Sequence, residues 1–160
     1  MAAGREELYA VLVSLNADTL LLPNAAVAEV VSAEALEEPP AGAPAWLAGR
    51  VTYNNRQLSV VRFELLNGGA AGEDSRRTRL AILQPVTSSL RTGQYAMVCQ
   101  GYPHLVTLNR TALRKEDLQS TDSEEFVFTR VSIANTNALI PNLERIEQVL
   151  AQFEAAPALA

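Results

Sequence analysis

Pro44-Ala45-Trp46-Leu47-Ala48-Gly49-Arg50-Val51-Thr52-Tyr53-Asn54-Asn55-Arg56-Gln57-Leu58-Ser59-Val60-Val61-Arg62-Phe63 decides the fold, because two strand-like runs meet in it at Asn54-Asn55. Asn is the non-glycine residue that best tolerates positive φ, which a two-residue type I′ loop requires at both central positions. Residues 50–53 and 58–63 are therefore expected to pair as a hairpin. Pro44 and Gly49 bracket a short helical turn that carries Trp46 and Leu47, with Trp46 expected to cap a core.

Working outward, short β-type runs recur at 8–15, 19–22, 27–31, 79–83, 94–99, 105–108, 126–133 and 138–141. Many short strands separated by turns predict small barrels. Helical periodicity is convincing only near the end. There Leu143, Ile146, Leu150 and Phe153 share one face, while Glu144, Arg145, Glu147 and Gln148 share the other. That pattern predicts one docking helix with Asn142 as its N-cap. The chain reads as all-β with a short C-terminal helix.

A weak internal repeat overlays residues 20–31 on 97–108 and 50–53 on 130–133, although alternating hydrophobicity alone makes any β chain resemble itself. Two halves of this size, each too small to bury a good core, are expected to pack on each other. Between them, Asn67-Gly68-Gly69-Ala70-Ala71-Gly72-Glu73-Asp74-Ser75 forms neither a dinucleotide nor a phosphate loop, since no Gly-Lys-Ser/Thr and no helix pattern follow it. It is read as a mobile connector. A second stretch, 114–125, is read as a surface crossing.

The chain has 160 residues, 48% of them hydrophobic, enough to bury a core. Its only Cys and His, Cys99 and His104, exclude a disulfide framework and leave no cluster for zinc. Arg5 alone is a poor leader in front of Glu6 and Glu7, and the apolar runs are too short to span a bilayer. A cytoplasmic location is expected. The net charge is −5 and the pI about 4.9, so nucleic-acid binding would need a strong local basic face. Arginines 50, 56, 62, 76, 77, 79 and 91 crowd one window but lack interleaved aromatics, and they read as a solvated face.

No constellation resembles an active site. Cys99 ends an apolar run and reads as a buried thiol. His104 has no locally placed carboxylate to fix its tautomer. The pairs Glu6-Glu7, Glu37-Glu38, Glu116-Asp117 and Glu124-Glu125 either face opposite ways on a strand or lie solvated in loops.

The 44–63 stretch resembles the signature of CheW-like domains, the adaptors of bacterial chemosensory arrays, whose pattern runs roughly P-x-[FYW]-[IL]-x-G-[VL]-x-N-[LI]-R-G-x-[IVL]-[IVL]-P-V-[IV]-D-L. The similarity extends over residues 8–149. It takes in Leu22-Pro23-x3-Val27-x-Glu29-Val30, the 95–108 strand pair and the Leu139-Ile140-Pro141-Asn142-Leu143-Glu144 corner. It implies a single domain over 8–153, built of two five-stranded SH3-like barrels (8–66 and 78–153) around a shared core, with 67–77 as connector and 154–160 as a frayed tail.

It also implies a non-catalytic adaptor between the regulatory domain of a CheA-type histidine kinase and the cytoplasmic tips of methyl-accepting chemoreceptors, with other CheW-like proteins as further partners. No cofactor, metal, nucleic acid or membrane insertion is implied, and the protein would sit in the cytoplasm at receptor arrays. Val27, Gly49, Tyr53, Asn54, Asn55, Ala96, Tyr102 and Leu105 line up with the family's interaction surfaces. The sequence departs from the pattern where Asn54 and Asn55 replace an Arg-Gly turn, Ser59 a Pro and Arg62 an Asp. Ala96 and Gln100 likewise stand where Gly and Asp are usual.

Within the family, residues 20–29 and 99–106 are most similar to the accessory adaptors of the chemosensory system that governs type IV pili and twitching. The missing Arg favours a second reading, a generic SH3-like binding module of another bacterial signalling complex.

Overall fold

The structure is a computed structural model, and it describes residues 8–70, 72–109, 112–133 and 135–155. In chain order the strands are β1 (Leu8–Ser14), β2 (Thr19–Pro23), β3 (Val27–Ser32), β4 (Leu47–Tyr53), β5 (Arg56–Val61), β6 (Thr78–Leu83), β7 (Tyr95–Gln100), β8 (His104–Leu108), β9 (Leu113–Glu116), β10 (Val127–Ile133) and β11 (Thr136–Pro141). The helices are α1 (Phe63–Leu66) and α2 (Leu143–Ala155). The fold is mostly β, with a short C-terminal helix, as expected.

Asn54 and Asn55 take φ of 51° and 64°, and β4 pairs antiparallel with β5 outward from Tyr53 opposite Arg56. This is the expected hairpin. Its flanks differ from expectation. The Leu47 N–H donates to the Pro44 carbonyl at 3.0 Å in one turn, and β4 already begins at Leu47. No helical turn forms, because a bulge at Ala48 and Gly49 resumes the ladder at once. At the other end β5 stops at Val61. There the Arg62 N–H donates to the Trp46 carbonyl at 2.8 Å, and Phe63, fully buried, opens α1.

The strands form two sheets, β8-β1-β2-β11-β10-β9 and β3-β6-β7-β5-β4. The five-stranded sheet curls closed. Beyond β3 and a 3₁₀ turn at Ala33–Ala35, Glu37 and Arg50 exchange backbone hydrogen bonds of 2.7 and 3.0 Å, which ties the β3 side to β4. Gly49 makes this approach possible: its φ is 152°, and any Cβ would overlap the Glu37 carbonyl oxygen.

The sheets do not divide at the connector. β1 and β2 sit with β8 to β11, whereas β6 and β7 complete the sheet of β3 to β5. Segment 67–77 therefore leads from β5 and α1 to β6 of the same sheet. The sheet of β1 and β2 has six strands because Leu113–Glu116, which overlaps the stretch read as a surface crossing, pairs with β10. An edge strand reading Leu-Arg-Lys-Glu carries no alternation to announce it.

Alternation sorts the apolar side chains into three clusters. Val51, Leu58, Val60, Leu80, Ile82, Ala96 and Val98 fill the five-stranded barrel, and Ala10, Leu21, Leu108, Val131 and Ala138 line the inside of the six-stranded sheet. The opposite faces meet through Val11, Val13, Leu20, Leu22, Val61, Leu83, Tyr95 and Met97. Phe63 and the Leu143, Ile146 and Leu150 stripe of α2 complete this shared core. Each such side chain contributes about 1.5–3 kcal/mol by leaving water. Asn142 caps α2, its Oδ1 accepting from the Arg145 N–H at 3.0 Å. Trp46 is half-buried against the shared core, its ring edge-on to Phe153 at 5.9 Å. Glu154 and Ala155, expected in the frayed tail, complete the helix, and Glu154 accepts from the Ser59 hydroxyl at 2.7 Å. The rest of that tail lies outside the described residues.

A polar knot joins the parts. The buried Arg130 guanidinium donates to both Asp122 oxygens (2.6 and 2.7 Å) and to Asp18 in the β1–β2 turn (3.1 Å). Asn67, just past α1, donates to Asp122 at 3.1 Å and accepts from the Ser123 N–H at 2.6 Å. The Arg130 hydrogen bonds hold the Asp122 carboxyl down at about 2, helped by the Gln119 N–H and Asn67 against the opposing effect of burial.

Candidate interaction surfaces

The residues expected to meet partners fall at the two ends of β7. Val60 of β5 lies beside Ala96 and Val61 beside Met97, so the hairpin tip projects past the start of β7. The start of β3 lies at the same end, since Val27 opposes Leu83 and Leu83 opposes Tyr95. This end gathers Val27, Tyr53, Asn54 and Asn55. Val27 is half-buried on the shared core. The nearby Glu29 carboxylate raises the pKa of the Tyr53 hydroxyl, with a smaller contribution from desolvation.

At the other end of β7, Gly101 turns the chain at φ 73° into β8 and leaves Tyr102 and Leu105 exposed, 64% and 62%. The Arg79 guanidinium lies over the Tyr102 ring at 5.5 Å. Leu105, on the edge strand β8, opposes Val11, and Tyr9, 59% exposed, stands two residues along the ladder opposite Thr107. An arginine stacked on an exposed tyrosine beside exposed apolar side chains is the composition that protein interfaces favour.

Two of the candidates serve the fold instead. Ala96 is fully buried inside the five-stranded barrel, with Val60 on one side and Ile82 on the other, so it reaches no partner. Gly49 is buried at the barrel closure, where its lack of a side chain is what matters. Residue identity alone could not separate these from surface positions, because strand burial depends on which sheet covers which face. The sequence reading also missed Tyr9 and Phe128. Phe128 is 63% exposed at a bulge in β10, and only a break in the alternation between Val127 and Thr129 could have flagged it.

Neither Cys99 nor His104 is placed to act as a nucleophile or its base. Cys99 is 1% exposed, its Sγ donates to the Gly101 carbonyl at 3.7 Å, and burial pushes the thiol up to about 11, so it stays protonated at neutral pH. His104 stands exposed on β8 opposite Leu12, which faces the other cluster from Cys99. Among the described residues no group of three or more His, Cys, Asp or Glu could hold a metal ion. Nor is any described helix long and apolar enough to cross a membrane. Two open, polar depressions stand out, one beside the hairpin tip at Asn54 and Arg56, the other between the β1–β2 turn and Arg77.

The family model of the CheW-like domain matches residues 10–150. Among solved structures, the scaffolding protein TtCheW from Thermoanaerobacter tengcongensis superposes with a TM-score of 0.70 at 15% sequence identity, covering 85% of this chain and 84% of that one. No curated protein sequence matches.

Proposed function

We propose, from the premise that the chain belongs to the CheW-like domain family, that it is a non-catalytic adaptor coupling the cytoplasmic tips of chemoreceptors to the regulatory domain of a CheA-type histidine kinase. The observation that carries this reading is the separation of two exposed faces by the length of β7 over one shared core. A coupler must hold two proteins at once, and a rigid body with a face at each end does that without cofactor or chemistry. Its place is in the cytoplasm, at membrane-associated receptor arrays where other CheW-like proteins assemble. The phrasing of residues 20–29 and 99–106 supports a narrower reading as a ChpC-type accessory adaptor for type IV pili and twitching.

Two-partner titration tests the coupling. Tyr53→Asp and Leu105→Asp should each abolish a different interaction, because an unpartnered carboxylate in an apolar contact costs several kcal/mol, enough to erase micromolar binding. If both folded variants lose the same single partner and no second partner exists, the coupler reading falls. The generic SH3-like module, favoured by Asn54 standing where the family has Arg, then takes its place.

A further inference from the structure

We infer that the β6–β7 loop and the hairpin tip form one composite docking face for a protein segment that presents a carboxylate beside an apolar residue, and that Glu147 positions this face from beneath. The strands β6 and β7 are adjacent and antiparallel, with Leu83 opposite Tyr95, so a tight turn would suffice to join them. The chain instead spends residues 84–94 there. Hairpin loops of this length are uncommon unless they do something.

The loop is held at several points along its length. Glu147 of α2 is fully buried, and its carboxylate accepts from the Val86 N–H (2.8 Å), the Thr87 N–H (2.9 Å) and the Thr87 hydroxyl (2.6 Å). A buried carboxylate is tolerated only when its oxygens are so satisfied, and here three of its partners come from one short stretch of loop. Leu90 plugs into the shared core, and Gln94 closes the neck of the loop onto Gln84 at 3.0 Å. From the hairpin, Arg56 donates to the Thr92 carbonyl at 3.0 Å.

That last contact holds a cation in the wall of the open depression between hairpin and loop, which Asn54, Arg56, Gln84, Pro85, Thr92 and Gly93 line. One guanidinium N–H is used and the others remain, and among the described residues Arg56 makes no ion pair. A guanidinium oriented by a carbonyl, with donors to spare, fits a carboxylate. Val86, 54% exposed next to Pro85, supplies the apolar neighbour. Small polar metabolites would leave Val86 uncovered, whereas a peptide segment covers both. The inference rests on the adaptor reading only for the identity of the protein that brings the segment.

The test uses the full chain and the peptide acetyl-Val-Glu-Glu-amide, followed by nitrogen-15 NMR. Saturable shifts in the millimolar range are expected at the Gly93 and Gln94 amides and at the Arg56 Nε–H. Arg56→Gln should weaken binding about tenfold, and Arg114→Gln, on β9, should not. Glu147→Gln should accelerate hydrogen exchange at Val86 and Thr87 and weaken the peptide several-fold although Arg56 is intact. Should that variant not fold, Thr87→Val removes a single donor and reports the same coupling. No saturable shift, or shifts indifferent to Arg56→Gln, overturns the docking face. Exchange at Val86 and Thr87 unchanged by the Glu147 or Thr87 variant overturns the positioning role. Competition with the kinase regulatory domain and a receptor-tip fragment separates the two readings. If the peptide binds as expected but neither protein binds the chain, the face stands and the adaptor reading fails. If both proteins bind the wild type and Arg56→Gln alike, the adaptor reading stands and the face fails.

Discussion

At the scale of single residues, backbone conformation decides what substitutions do here. Asn54 sits at φ 51°, so Asn54→Arg, which would restore the family's residue, replaces the side chain that best tolerates the left-handed region with one that tolerates it less. It should cost about 1 kcal/mol in chemical denaturation while shifting partner affinity by more than that. Asn55→Gly, at φ 64°, should be neutral or slightly stabilising in the same assay. Gly49→Ala is the severe case. Its new methyl would overlap the Glu37 carbonyl that closes the barrel, and a loss of about 3 kcal/mol is expected, read as a lowered denaturation midpoint. A Gly49→Ala variant as stable as the wild type would show that the barrel closes some other way. The turn was legible from Asn-Asn alone, since few residues accept positive φ. The role of Gly49 was not, because the carbonyl it accommodates belongs to a segment linked to β4 only by one isolated bridge.

At the scale of elements, the Arg130 knot gives the protein a specific acid sensitivity. Asp122 is held near 2 when folded, against an ordinary value of 3.8, so its ionised form favours the native state. The contribution, on the order of 2 kcal/mol, is complete above about pH 4 and lost as pH falls through about 2. Asp122→Asn should flatten that part of the stability curve and lower stability at pH 7, because it leaves Arg130 buried without its bidentate partner. A curve between pH 4 and 2 that keeps its slope in the variant would assign the acid transition to other carboxylates. The strands that the knot joins were readable one by one from alternation. The knot itself was not, since Asp18, Asn67, Asp122 and Arg130 share no spacing in the sequence and meet only through the packed elements.

For the whole molecule, hydrophobic pattern told which residues are buried but not against what, and so the two sheets could not be sorted. The parallel pairings that do the sorting rest on very few residues, Leu139 beside Leu20 in one sheet, Val60 and Val61 beside Ala96 and Met97 in the other. Chains cut into 1–77 and 78–160 should each remain unfolded by circular dichroism and NMR, because each fragment lacks strands of both sheets, and mixing them should restore structure. A fragment that folds alone would contradict the interleaved topology. The same interleaving sets a timetable for a chain emerging from the ribosome. The first hairpin is complete at Pro23, yet the strand that covers β2 on its free edge, β11, begins only at Thr136. At about 5–20 residues per second the β1–β2 hairpin waits on the order of ten seconds with Leu20, Leu22 and Val13 uncovered. During that interval the uncovered apolar face is open to chaperones, and the yield of the protein in the cell is expected to fall when they are depleted.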